Sequence, residues 1–197
     1  MGVADRPDSS LNTGTIADRL VQVKAHDRFT NADREFIEQQ YMFFLATVDS
    51  VGQPTCSYKG GDRGYVRVLD HATLVFPNYD GNGMYLSIGN LMETHAVGLL
   101  FIDFAAQRRL RVEGTARLSM DDSLMSQFSG AQFIVRVEVR RIYPNCPRYI
   151  HKYELVQASE FVPHPEKPAP VPAWKQADWA VDVLPANDPA RVRNVDR

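Results

Sequence analysis

The sequence predicts a mainly β protein with flanking helices, its strands closed into a small antiparallel barrel. Between residues 43 and 143, run after run is aromatic and β-branched or has apolar residues at alternate positions, as expected of strands. Gly, Asn, Asp and Pro turns separate the runs at hairpin spacing, so the pairing is antiparallel. About six or seven such strands with a single inserted helix, in roughly 100 residues, suit a closed barrel, which also leaves few exposed edges.

Before the strands, residues 1–14 are polar and are expected to be mobile. Thr15 and Asp18 have capping-box spacing, and Ile16, Leu20 and Val23 then share one face of a first helix. Thr30 and Asp33 repeat the signal, followed by an apolar stripe of Phe36, Ile37, Gln40 and Tyr41. The period then changes. Strands are predicted over 43–49, 55–59, 65–70 and 73–77, with a turn at 50–53. A helix over 83–93 places Met84, Ile88 and Leu91 on one face. Residues 96–103 are nearly all apolar and predict a strand buried on both sides. The strand over 108–120 turns Leu110, Val112, Ala116 and Leu118 inward and Arg109, Arg111, Glu113 and Arg117 outward, with Gly114 at a bulge or close contact. Residues 121–129 allow one helical turn, 132–143 a last strand, and Pro147 can open a further helix.

From Phe161 the composition shifts, and seven of the twelve prolines lie between Pro163 and Pro189. Such a segment is no regular helix or central strand. Trp174, Trp179, Val181, Val183 and Leu184 make it too apolar for a free linker. The expected organisation is a helical extension over 1–30, a barrel domain over 31–157, and a proline-rich arm over 158–197 laid on the barrel or on a partner subunit.

The 197 residues suffice for a sizeable core, and 44% hydrophobic with 23% charged residues is ordinary for a globular chain. A net charge of −2 gives no basic field for nucleic acid or anionic lipid. No apolar run approaches the ~20 residues of a membrane span. Two cysteines, Cys56 and Cys146, make neither a disulfide framework nor a zinc site; with no secretory signal, the expected location is cytoplasmic. Cys56 is expected to be buried. The five histidines show no ligand spacing, and no metal is expected.

The stretch 54–90 carries the chemistry. A strand ends in Ser57, Tyr58 and Lys59, a glycine loop follows from Gly60, and the turn Asp80-Gly81-Asn82-Gly83 opens the inserted helix. An ammonium, a hydroxyl and unblocked backbone N–H groups are what a phosphate needs. Two plain hairpin turns beside a solvated lysine would read the same way. Likewise Asn82 and Asn90 could bind a ligand or cap helix ends, and Arg109 and Arg111 could reach one or form a solvated strand face.

The order and spacing of seven segments (43–54, 57–70, 73–77, 80–82, 97–103, 110–116 and 145–150) resemble the FMN-binding split barrels related to pyridoxamine 5′-phosphate oxidase, and within them a subgroup of flavin-nucleotide-binding proteins. The resemblance implies a six-stranded antiparallel split β-barrel and a homodimer with FMN at the subunit interface. It places the flavin along Ser57, Tyr58, Lys59 and Gly60. Pro77 and Asn78 would lie near the ring, Gly81, Asn82 and Asn90 near the phosphate or ribityl chain, and Arg109 or Arg111 near the phosphate or the pyrimidine edge. The oxidases carry arginine and lysine where this chain has Gly81 and Asn82, so more of the phosphate's charge falls to Lys59 and an outward arginine. Their C-terminal residues for pyridoxal phosphate have no match, so vitamin B6 oxidation is not carried over. The expected function is an FMN-dependent oxidoreductase acting on a small molecule. The alternatives are a non-catalytic flavin carrier or redox sensor, or a barrel binding deazaflavin or haem. No catalytic residue stands out.

Overall fold

The computed structural model describes residues 14–167, 169–186 and 188–192. Of residues 1–14, expected to be mobile, 1–13 lie outside them and Gly14 begins the first helix. Seven strands form one antiparallel sheet: β1 (Met42–Val48), β2 (Pro54–Gly60), β3 (Arg67–Val68), β4 (Thr73–Tyr79), β5 (Ala96–Asp103), β6 (Arg108–Ser119) and β7 (Ala131–Pro144). Their order is β2-β1-β5-β6-β7-β4-β3. The count is seven rather than six because the predicted strand over 65–70 survives as the two-residue β3. The sheet ends at β2 and β3, which do not pair. The end of α2 (Asn31–Glu38) holds β3 and the loop before it: the Glu38 carbonyl accepts from Gly64 N at 2.8 Å, and its Oε1 accepts from Val68 N at 3.0 Å.

Alternating side chains fill the interior. Phe43, Leu45, Leu74, Phe101, Val112, Ala116, Val135, Val137 and Ile142 are fully buried in one cluster. The ring of Phe43 packs 5.0 Å from Phe76 and 5.2 Å from Phe101. β6 and β7 make the longest pairing, and their register shifts between Glu113 and Gly114, the bulge expected there. β5 departs from expectation. Its interior face is Val97, Leu99 and Phe101, while Gly98, Leu100 and Ile102 are half-buried. A nearly continuous apolar run therefore lies in a one-sided strand.

Helix starts show where local signals suffice. Thr30 caps α2 as predicted: its Oγ1 accepts from Asp33 N at 3.2 Å, and Asp33 Oδ2 accepts from Thr30 N at 2.9 Å and Thr30 Oγ1 at 2.6 Å. Burial pushes the Asp33 carboxyl up, but the bonds from Thr30 and from His26 outweigh it and hold the group below the usual carboxylate range. Thr30→Ala is expected to cost about 1 kcal/mol of stability, the usual worth of such a cap, read as a lowered denaturant midpoint.

Other signals were overruled. α1 (Gly14–Lys24) includes Thr15 rather than being capped by it, and its apolar stripe of Ile16, Leu20 and Val23 is more than half exposed. No helix follows Pro147. Residues 147–150 make one turn, closed by Ile150 N to the Pro147 carbonyl at 2.9 Å, and Tyr149 and Val156 are almost fully exposed. Without a buried stripe nothing offsets the cost of nucleation.

The chain divides into two compact units at Gln157 and Ala158. In the second, a short 3-10 turn (Ala173–Gln176) and α4 (Pro189–Val192) form despite the prolines. Trp174 and Trp179 stack at 5.9 Å, and the buried Lys175 pairs with Asp188 at 2.5 Å.

Candidate ligand-binding site

A cleft of about 500 Å³ opens between β2, the end of β4, and the start of the inserted helix α3 (Leu86–Thr94). Strand alternation turns Ser57 and Lys59 to one face of β2. Lys59 is half-buried, and its ammonium has no hydrogen-bond or ion-pair partner among the described residues. Burial pulls its ammonium below the ordinary lysine range. Ser57 Oγ shares a 2.6 Å hydrogen bond with Ser87 Oγ, which lies buried in the first turn of α3. Tyr79 also lines the cleft; burial, with a smaller contribution from the Asp62 carboxylate, pushes its phenol up to about 12, so it stays a neutral donor.

The start of α3 is unusual. Gly83 takes φ 75°, and the N-cap residue Tyr85 takes left-handed φ 50° with no side-chain cap. These two positive φ angles shorten the predicted helix, so Met84 falls outside it and is exposed. A helix leaves its first N–H groups without internal partners. Here those of Leu86, Ser87 and Ile88 belong to residues lining the cleft. The strained Tyr85 is held from outside its own helix: its hydroxyl donates to Gln132 Oε1 at 3.0 Å, and Asn78 Nδ2 donates to the same oxygen at 2.9 Å. Asn82 Oδ1 accepts from Met84 N at 3.1 Å and shapes the turn. An unpaired ammonium, two hydroxyls and an uncapped helix start are groups whose chemistry suits a multiply charged oxyanion.

Of the residues singled out from sequence, Ser57, Tyr58, Lys59, Asn78, Gly81 and Asn82 line this cleft. Tyr58 is more exposed than its neighbours, and its ring meets Phe44 edge-on at 6.2 Å. Gly60 and Pro77 are not in the lining. A Cβ at Gly60 would lie 2.8 Å from the Tyr58 ring, so that glycine serves the close approach of the tyrosine. Asn90 is buried beneath α3, where its Nδ2 donates to Thr47 Oγ1 at 3.1 Å and Thr55 Oγ1 at 3.3 Å, pinning α3 to β1 and β2. Arg109 lines a different cavity, and Arg111 lines neither. Cys56 is exposed at the cleft rather than buried, because β2 is an edge strand with no neighbour beyond it. Sequence reasoning missed Ser87, Tyr79, Tyr85 and Gln132. Ser87, one residue into the first turn of the inserted helix, was the one with a readable signal.

The profile of the pyridoxamine 5′-phosphate oxidase family matches residues 29–147, more than half of the chain. The chain belongs to that family. Its antiparallel sheet with flanking helices is the family's split barrel. Similar solved structures include HupZ of Group A Streptococcus (20% identity over 59% of this chain and 93% of that one, TM-score 0.48). Others are an FMN-binding protein of Syntrophomonas wolfei (14%, 67% and 95%, TM-score 0.40) and HutZ, a haem storage protein of Vibrio cholerae (18%, 59% and 94%, TM-score 0.42). A search of curated proteins found no match. Among the described residues of this family member, no group of His, Cys, Asp and Glu could hold a metal ion, and no helix is long and apolar enough to cross a membrane.

Proposed function

We propose that this protein binds FMN and works as an FMN-dependent oxidoreductase on a small molecule. The observation that carries the reading is the unpaired, half-buried Lys59 in the same cleft as the uncapped start of α3, with Ser57 and Ser87 joined between their elements. The phosphate would take the Lys59 ammonium, the two serine hydroxyls and the first N–H groups of α3. When bound, FMN supplies hydride and electron transfer; the protein contributes position, charge and exclusion of water. The groups present are donors suited to an oxyanion. Among the described residues no histidine lines the cleft to serve as an axial ligand, which favours a flavin over haem. The family resemblance carries a homodimer as part of the same reading. A cytoplasmic location fits two free, exposed cysteines.

Purified protein is expected to be yellow, with a band near ~450 nm, and to elute as a dimer by light scattering on the same sample. FMN should bind more tightly than riboflavin, which lacks the phosphate. Bleaching by NAD(P)H without oxygen marks an enzyme; retention of colour marks a carrier. A colourless monomer that ignores added FMN would overturn the reading, and a Soret band would replace flavin by haem.

A further inference from the structure

The pairing of β4 with β7 shifts register beside the cleft. Asn78 pairs with Phe133 and Tyr79 with Ala131, so Gln132 lies between them with no partner on β4. It is the extra residue of a β-bulge, a device that re-aims a side chain. The freed side chain reaches the segment that opens α3. Its Oε1 accepts two hydrogen bonds, from Tyr85 Oη at 3.0 Å and from Asn78 Nδ2 at 2.9 Å. Asn78 is buried, and the same amide nitrogen also donates to the Tyr79 carbonyl at 3.2 Å. The acceptor oxygen is therefore anchored on the sheet, by β7 through its own chain and by β4 through Asn78.

Tyr85 is the residue that needs holding. At φ 50° and ψ 26° it is left-handed, a costly conformation for a bulky residue with a Cβ. Its side chain is exposed, so burial does not hold it in place, and no side chain caps the helix that it precedes. Yet its carbonyl accepts the first hydrogen bond of α3, from Gly89 N at 2.8 Å. The direction of the free N–H groups that follow depends on the Tyr85 backbone. Outliers of this kind persist where the surroundings over-determine them, and here the surrounding contact is the bulged glutamine.

We propose that Gln132 is a positioning residue for the oxyanion end of the flavin cleft, acting through the Tyr85 hydroxyl. The bulge supplies an acceptor that keeps Tyr85 left-handed and the start of α3 turned toward the ligand. Gln132 itself lies outside the cleft lining. The inference rests on the flavin reading for the identity of the ligand, and on the geometry alone for the latch. Such a latch acts on the phosphate more than on the ring, because the groups that it aims are the N–H donors of a helix start.

The test uses the full chain with Tyr85→Phe, Gln132→Leu and the two together. Tyr85→Phe removes one hydroxyl from an exposed ring and leaves Asn78 its partner, so folding is not at stake. In the ligand-free protein, hydrogen exchange at Gly89 N–H should speed up roughly fivefold in each variant, the worth of one neutral hydrogen bond. Exchange at His95 N–H, bonded to the Leu91 carbonyl at the far end of α3, should not change. In titrations with FMN and riboflavin, the preference for FMN should fall by about the same factor. Adding Tyr85→Phe to Gln132→Leu should change neither quantity, since both break one bond. Unchanged Gly89 exchange would overturn the proposal. Equal weakening of FMN and riboflavin would make the role merely structural, and independent effects in the double variant would show that Gln132 does not act through Tyr85; either result overturns it. If the wild-type protein binds neither flavin, the flavin reading falls, and Gly89 exchange alone still upholds or overturns the latch.

Discussion

Gly114→Ala is expected to cost about 3 kcal/mol or more of stability, the upper end for overpacking a core position. A Cβ at Gly114 would lie 2.1 Å from the Glu138 carbonyl oxygen, 3.1 Å from its carbon and 3.2 Å from Val137 Cγ1. The nearest obstacle is backbone, which has no alternative rotamer. Relief would require β7 to move away from β6 at the bulge, in the longest pairing of the sheet. Val112, Ala116, Val137 and Val139 pack in the core on either side of this point. A shift there therefore opens the core as well as the ladder. Denaturant unfolding of the variant gives the number directly, and a loss under about 1 kcal/mol, ordinary for a point substitution, would mean that the two strands are not in such close contact.

Lys59→Ala is expected to weaken FMN by about 1–3 kcal/mol, the range for a hydrogen bond to a charged group, while riboflavin binding hardly changes. The difference between the two ligands isolates the phosphate. Stability should not fall, because the wild-type ammonium is half-buried without a partner and its burial is itself unfavourable. The same lysine sets a pH dependence. Burial lowers its pKa from 10.5, so the ammonium is lost as pH rises through that lowered value. FMN affinity should therefore decline on the alkaline side earlier than an ordinary lysine would allow, and riboflavin affinity should not follow it. An unchanged FMN dissociation constant in Lys59→Ala would remove the lysine from the site.

Much of the fold was legible because its signals are local. Alternation and apolar or β-branched runs gave six of the strands within a few residues at each end, and Thr30 with Asp33 marked the start of α2 from two side chains three positions apart. Gly114 was marked by being the one glycine in a long alternating run. Thr15 marked a helix that does form, though it lies inside α1 rather than capping it. The segment after Pro147 buries no apolar stripe and forms no helix. The apolar run over Ala96–Asp103 looked two-sided because composition does not say what covers the second face.

The site divides in the same way. Six of the residues chosen from sequence line one cleft, since Ser57 to Lys59 and Gly81 to Asn82 announce themselves as strand end and turn. Their partners did not. Ser57 meets Ser87 across 30 positions, and Asn78 meets Gln132 across 54. Asn90 looked available until two threonines of neighbouring strands took its amide.

The sequence by itself determined the strands, the turns that join them, the capping of α2 and the side chains able to meet an oxyanion. These depend on backbone preference and on periodicity, which act between residues close in the chain. Only the tertiary structure decided which polar groups are spent on one another and which stay bare. It left Lys59 unpaired beside the uncapped start of α3, and joined Tyr85 and Asn78 on one oxygen of Gln132. Strand register and helix placement bring those groups together across long stretches of chain, and burial then fixes what an unmet charge costs.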